Sequence, residues 1–307
     1  MHQLASSHRT ASLFLATVFL FAGAIAAPVI IPRQSITVLS ASQISTYKPY
    51  TYFASTGYCS AAVTKAWNCG ANCNANAGFE WVASGGDGDN IQYWFVGYSP
   101  TLEEIIVSHQ GTDTSALLPV LTDADIDQVN LDSAHFPGIS SSVKVHDGFA
   151  NAQLKAAESV LAAVNTALSK YPTTKVTLVG HSLGAAISLL DSVYLPLHLP
   201  STITYKTITY GMPRVGNQEF ANYVDGNTHI HLTHINNKED PVPVLPPLFL
   251  GYIQPAGEIH IQDSNAWDNC PGQDNGSDKC STGDVPTIFE WDVSNHDGPY
   301  DGVSMGC

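Results

Sequence analysis

Positive charge is what this chain has least of: 12 Lys and Arg stand against 27 Asp and Glu in 307 residues, a formal net charge of −15. A polyanion is held through cations that displace its counterions, so nucleic acid is excluded as an expected partner. No Pro/Ser-rich linker and no internal repeat breaks the sequence. With 44% apolar residues and that length, one domain with one sizeable core is the expectation. Cysteine pairs at zinc-binding spacing with histidine are also missing, since Cys69-Gly-Ala-Asn-Cys73 is the closest pair among six cysteines.

Charge is absent altogether from Ala11 to Ala27, an apolar run preceded by Arg9 and closing with the small-x-small site Ala24-Ile25-Ala26. That pattern predicts a signal peptide over residues 1–26 and a single folded domain over residues 27–307. Pro28 and Pro32 argue against an uncleaved span, so no stable membrane span is expected after processing. A secreted chain meets oxidising conditions, and its cysteines are then expected as disulfides. Cys69 with Cys73 closes a small loop, Cys270 with Cys280 staples the polar segment 271–279, and Cys59 and Cys307 are left for each other. The sequon Asn275-Gly276-Ser277 falls inside the stapled segment and is a candidate glycosylation site.

What is present is organised around Lys175 to Ala186, "KVTLVGHSLGAA". Val176, Leu178 and Val179 read as a buried strand, and the residues from Leu183 onward as a helix. Between them lies Gly180-His181-Ser182-Leu183-Gly184. A serine on so sharp a strand-to-helix turn is pushed out at the sheet edge, and the glycines admit backbone where a Cβ would collide. The following amide, Leu183, opens the helix and can donate to a negative oxygen. The same spacing recurs at Gly302-Val303-Ser304-Met305-Gly306, but one residue before the end of the sequence no helix can follow.

Strands at 93–98 and 104–109 flank a Ser99-Pro100 turn, and the second runs into His109-Gln110-Gly111-Thr112-Asp113. Such a glycine and hydroxyl residue at a strand end suit a second oxyanion donor, with Thr112 offering its amide and hydroxyl. Residues 114–140 mix Leu117, Leu118, Val120 and Leu121 with Asp123, Asp125, Asp127 and Asp132, a composition that fits a mobile cover or a plain surface helix. Apolar spacing from Leu154 to Leu168 predicts a crossover helix. Strands are expected at 203–211 and 229–235, with a helix over 218–223 between them. The alternation predicts a mostly parallel α/β sheet.

A serine hydroxyl needs a base within reach and an acid to orient that base. His181 is set aside as adjacent to the nucleophile and directed elsewhere. His229, His231 and His234 could share a strand face and hold a metal, yet no acidic complement accompanies them. Asp240, on a loop stiffened by Pro241, Pro243, Pro246 and Pro247, suits the orienting acid.

"VHDGF", "TLVGHSLGAA", "YGMPRVGN" and the D-x-V-P-x-L-P-P run from Asp240 occur here in one order. In that order they resemble the secreted fungal class 3 lipases of the Rhizomucor and Thermomyces type, over roughly Thr51 to Cys307. The resemblance implies an α/β-hydrolase fold, Ser182 as nucleophile, Asp240 as acid, His296 as general base, and Thr112 and Leu183 at the oxyanion positions. It also implies a secreted, cofactor-free and monomeric carboxylic-ester hydrolase acting on acylglycerols at a lipid–water interface. Residues 114–140 contain no tryptophan. A feruloyl or short-acyl esterase therefore remains the alternative substrate class, and an inactive binding protein on the same scaffold the remote one.

Overall fold

The computed structural model describes residues 35–112, 114–123 and 126–307; the expected signal peptide lies outside them. Among the described residues nine strands form the main sheet. These are β1 Thr37–Val38, β2 Glu80–Gly85, β3 Trp94–Ser99, β4 Glu104–His109, β5 Lys175–His181, β6 Thr204–Tyr210, β7 Leu232–Asn237, β8 Glu258–Ile261 and β9 Trp267–Cys270. Their spatial order is β1-β9-β8-β7-β6-β5-β4-β3-β2. From β4 through β8 neighbouring strands run parallel, and antiparallel strands finish both edges.

Successive side chains on a strand point to opposite faces, so a strand covered on both sides is apolar along most of its length. In β4 and β5, Ile105, Val107, Val176 and Leu178 feed one core with the helices Ala157–Lys170 and Leu183–His198. Ile106 and Val179 feed the other, with Phe53, Phe95, Ile208 and Tyr210. The parallel registers are nearly level: His109 faces Gly180, His181 faces Tyr210, and Tyr210 faces Ile235. The C-terminal ends of four adjacent strands therefore open onto one edge, where α/β sheets place their chemistry.

Two sequence expectations shift. The apolar period from Leu154 to Leu168 is not one helix but parts of Asp147–Leu154 and Ala157–Lys170. The first packs on Leu183–His198 and the second on β3 and β4, so one straight rod could not serve both. Strand β7 starts at Leu232 rather than His229, because Asn227 Oδ1 accepts from His229 N at 2.9 Å and Ile230 N donates to Asn227 O, turning that stretch out of the ladder. The three disulfides are Cys59–Cys307, Cys69–Cys73 and Cys270–Cys280, as expected. No described helix is long and apolar enough to cross a membrane.

Candidate active site

Strand β5 ends at His181, and the helix Leu183–His198 begins one residue after Ser182. Ser182 has φ 60° and ψ −127°, a conformation that costs a non-glycine residue on the order of 1–3 kcal/mol. Its surroundings enforce it. A Cβ on Gly180 would stand 2.2 Å from the Gly184 carbonyl, and one on Gly184 would stand 2.3 Å from the His109 carbonyl. Ser182 N donates to Tyr210 O at 3.0 Å, which locks the turn to β6. The Oγ is buried and has no hydrogen-bond partner among the described residues. By contrast Ser304 follows an isolated bridge between Tyr300 and Val303, with no helix after it.

His296 Nδ1 lies 2.8 Å from Asp240 Oδ2, and both side chains are fully buried. The other carboxylate oxygen accepts from Val242 N at 2.9 Å, so Asp240 is fixed at both ends. A carboxylate only accepts, which places the proton of a neutral His296 on Nδ1 and leaves a lone pair on Nε2. That Nε2 also lacks a partner among the described residues. The backbone of His296 is held as firmly as its ring: its carbonyl accepts from His181 Nε2 at 2.8 Å and from Tyr300 OH at 2.9 Å. Gly211, at φ 52°, passes beneath this pair, where a Cβ would meet His296 Cε1 at 2.9 Å. A glycine is required there.

Past β4, a Cβ on Gly111 would come within 2.6 Å of the His181 carbonyl and 3.0 Å of Ser182 Cβ. The chain thus passes directly alongside the elbow, with Thr112 next in line. Below that loop, buried His109 Nε2 lies 2.8 Å from Asp191 Oδ2, and Gln153 Nε2 donates to Asp191 Oδ1 at 2.8 Å. This pair ties the end of β4 to the elbow helix. Arg214 of the "MPRVGN" turn is 2% exposed, and it binds Asp274 Oδ1 through Nε and Nη2 while Nη1 reaches the carbonyls of Val244 and Pro246. It clamps the stapled 271–279 segment to the loop that follows Asp240.

Serine, acid and base, predicted from separate stretches, are thus brought to one edge of the sheet. The histidine cluster is not: His229 and His231 precede β7, and His234 Nε2 faces the Pro255 carbonyl at 3.1 Å. Among the described residues the one grouping with metal-ligand types, Glu258 with Cys270 and Cys280, consists of an acid beside a disulfide. Sequence reasoning missed a second serine–histidine–aspartate set. Ser281 Oγ lies 2.9 Å from His260 Nδ1, and His260 Nε2 lies 3.0 Å from Asp284 Oδ2. Only its three-dimensional proximity reveals it.

Residues 106–250 match the class 3 lipase family. A secreted mono- and diacylglycerol lipase of Malassezia globosa is 32% identical over 230 residues, covering 74% of this chain and 70% of that protein. A second from the same organism is 34% identical over 229 residues, covering 74% and 72%. The chain belongs to the class 3 lipase family. Among solved structures, the Rhizomucor miehei triacylglyceride lipase superposes with a TM-score of 0.75 at 27% identity, over 88% of this chain and 98% of that one. Lip2 lipase of Yarrowia lipolytica, at 22% identity and a TM-score of 0.77 over 89% and 98%, shares the fold. This lipase is a serine ester hydrolase of the α/β-hydrolase fold.

Ser182 is covered, with no exposed surface. The helix Thr114–Thr122 buries Leu117 and Leu121 in the core and turns Val120 outward. Phe249 is 84% exposed, Ile288 66% and Phe289 90%. Phe249 and Ile288 line a groove of about 450 Å³ with Val244, Leu245 and Trp291, built from the segments just after Asp240 and just before His296. A larger cavity, about 830 Å³, lies around Tyr47, Tyr50, Lys206 and Gly257, away from the elbow at the N-terminal ends of the parallel strands, and contains none of Ser182, Asp240 or His296. Size alone does not locate this chemistry.

Proposed function

We propose that the protein is a secreted lipase that hydrolyses acylglycerol esters through an acyl-enzyme, with residues 1–26 as its signal peptide. Ser182 Oγ attacks the ester carbonyl while His296 Nε2 takes its proton, and Asp240 stabilises the resulting imidazolium. The negative oxygen of the tetrahedral intermediate is held by the amides of Thr112 and Leu183 and the Thr112 hydroxyl. As the intermediate collapses, the C–O bond to the alcohol breaks and His296 returns the proton to the leaving oxygen. Water, deprotonated by His296, then attacks the acyl-enzyme, and the fatty acid leaves as Ser182 regains its proton.

The observation that carries this reading is the strained Ser182, whose free Oγ sits on the strand edge shared with a carboxylate-oriented histidine whose Nε2 is also free. Partial glycerides are the proposed substrates, because the relatives described above are mono- and diacylglycerol lipases. Exposed Phe249, Ile288 and Phe289 support action at a lipid–water interface, and the acting species is proposed to be the monomer. Such side chains gain roughly 25 cal/mol per Å² on leaving water, and the Thr114–Thr122 helix is proposed as the cover that interface binding displaces. Fluorophosphonate labelling of Ser182, with turnover of monoolein, diolein, triolein and methyl ferulate, tests it. An unlabelled Ser182 removes the mechanism; preference for methyl ferulate moves the substrate to aromatic esters.

A further inference from the structure

Between the elbow and the C-terminal strap lies a hydrogen-bond chain that the mechanism above does not use. Tyr58 OH is 2.5 Å from His181 Nδ1, and His181 Nε2 is 2.8 Å from the carbonyl oxygen of His296. A carbonyl can only accept, so Nε2 of His181 carries hydrogen. In a neutral ring Nδ1 then holds the lone pair, and the phenol must be the donor. His181 is fully buried, and burial, with His296 beside it, holds its pKa well below the ordinary histidine value. The rings of His181 and His296 are 4.3 Å apart, so a cation on the first would oppose the imidazolium that the second must become.

Tyr58 also touches the other half of the site. A Cβ on Gly111 would stand 2.1 Å from the Tyr58 hydroxyl, so the phenol packs against the residue immediately before Thr112. Its own position is fixed from both sides. It follows the helix Lys48–Thr56, and its neighbour Cys59 is bonded to Cys307. Ser55 Oγ lies 2.8 Å from the Gly306 carbonyl, and Asn72 Nδ2 donates to the same oxygen at 2.9 Å. The C-terminal strap bearing His296 and the chain bearing Tyr58 are therefore one tied unit.

We propose that Tyr58 is a positioning residue that, by donating to His181 Nδ1, fixes the tautomer through which His181 holds the His296 backbone, while the same hydroxyl packs against Gly111. The proposal rests on His296 being the general base. Without the phenol hydrogen, His181 is free to move its proton to Nδ1, and a lone pair then faces the His296 carbonyl. The hold becomes a repulsion. A displacement of about 1 Å in a base can cost up to 10²-fold in rate.

Tyr58→Phe keeps the ring and removes only the hydroxyl. Against p-nitrophenyl butyrate it is expected to lower kcat about tenfold, with KM within about twofold of the parent. In ¹⁵N-histidine spectra, parent His181 should be a single Nε2–H tautomer and the variant a mixture. His181→Gln, whose amide can still donate to the His296 carbonyl, should retain more turnover than His181→Leu, and this pair decides the matter if Tyr58→Phe does not fold. Parental kcat in Tyr58→Phe, an unchanged tautomer despite lower kcat, or equal losses in the two His181 variants overturns the positioning role. His296→Ala with turnover intact would instead sink the triad reading itself.

Discussion

Two serine–histidine–aspartate sets stand beside one sheet, and their hydrogen bonds separate them. In the first, His296 gives Nδ1 to Asp240 and keeps Nε2 free, while Ser182 Oγ is free on a left-handed backbone. In the second the ring is reversed, with Nδ1 toward Ser281 and Nε2 toward Asp284. Ser281 Oγ also accepts from Asn236 Nδ2 at 2.9 Å, and Ser281 N donates to Glu258 Oε1 at 2.6 Å. Every polar atom of Ser281 described here is occupied, and no strained φ lifts it toward a ligand. Reactivity follows from atoms left unsatisfied on strained backbone, whereas the same residue types fully paired serve as a buried clasp.

The sharpest way to break this comparison is to delete both hydroxyls separately. Ser182→Ala should lose about four to six orders of magnitude in kcat and keep its melting temperature. Ser281→Ala should keep kcat and lose about 1–3 kcal/mol of stability, because Asn236 Nδ2 and His260 Nδ1 are left buried without that partner. Denaturant melts and single-substrate kinetics read the two directly, and a slow but stable Ser281 variant would reverse the assignment.

Thr112→Val probes whether the free serine is matched by a donor for the charge it creates. It keeps the backbone amide and should lower kcat roughly 10²- to 10³-fold; a parental kcat would place the hole elsewhere. The interface claim asks for a smaller change. Phe249→Ser/Phe289→Ser removes two exposed rings at no cost to the core, so turnover of soluble esters should persist. Rate against dispersed tributyrin should fall several-fold, and identical curves above and below the solubility limit would dispose of interfacial docking.

Acid tests the buried histidines outside the clasp. His146 is buried at the end of the short strand Lys144–His146, and burial pulls its pKa down to about 4. A depressed histidine binds its proton more readily unfolded, so its contribution is full above the unfolded value near 6.5 and is lost as pH falls toward about 4. The loss should reach on the order of 3 kcal/mol for this residue, with His181 and His234, also depressed by burial, acting in the same direction. Melting temperature measured from pH 7 to pH 4 should fall, more steeply in the parent than in His146→Phe. A flat profile would show that these rings are not held neutral.

The elbow was legible from sequence because it is local. Gly180, Ser182 and Gly184 sit within five residues, and the collisions that demand glycine arise from the turn they make and the strand end beside it. The strands were legible for a similar reason, since burial on both faces favours apolar, β-branched clusters such as Ile105, Ile106 and Val107 or Val176, Leu178 and Val179. Asp240 was legible as a candidate acid from its proline-stiffened loop, but His296, 56 residues further on, could be assigned only through a resemblance, because no spacing rule joins the two. Part of what the tertiary structure alone decided lies across still longer separations. His181 was set aside from sequence as a mere neighbour of the nucleophile. It became a link between Tyr58, 123 residues earlier, and His296, 115 residues later. The second triad was invisible despite shorter separations, because Ser281 and Asp284 reach His260, and Asn236 reaches Ser281, only when β7 and β8 pair and the chain after the stapled segment folds back over them. A local pattern fixes which backbone conformation a residue adopts; whether its polar atoms are then satisfied depends on partners that only folding delivers.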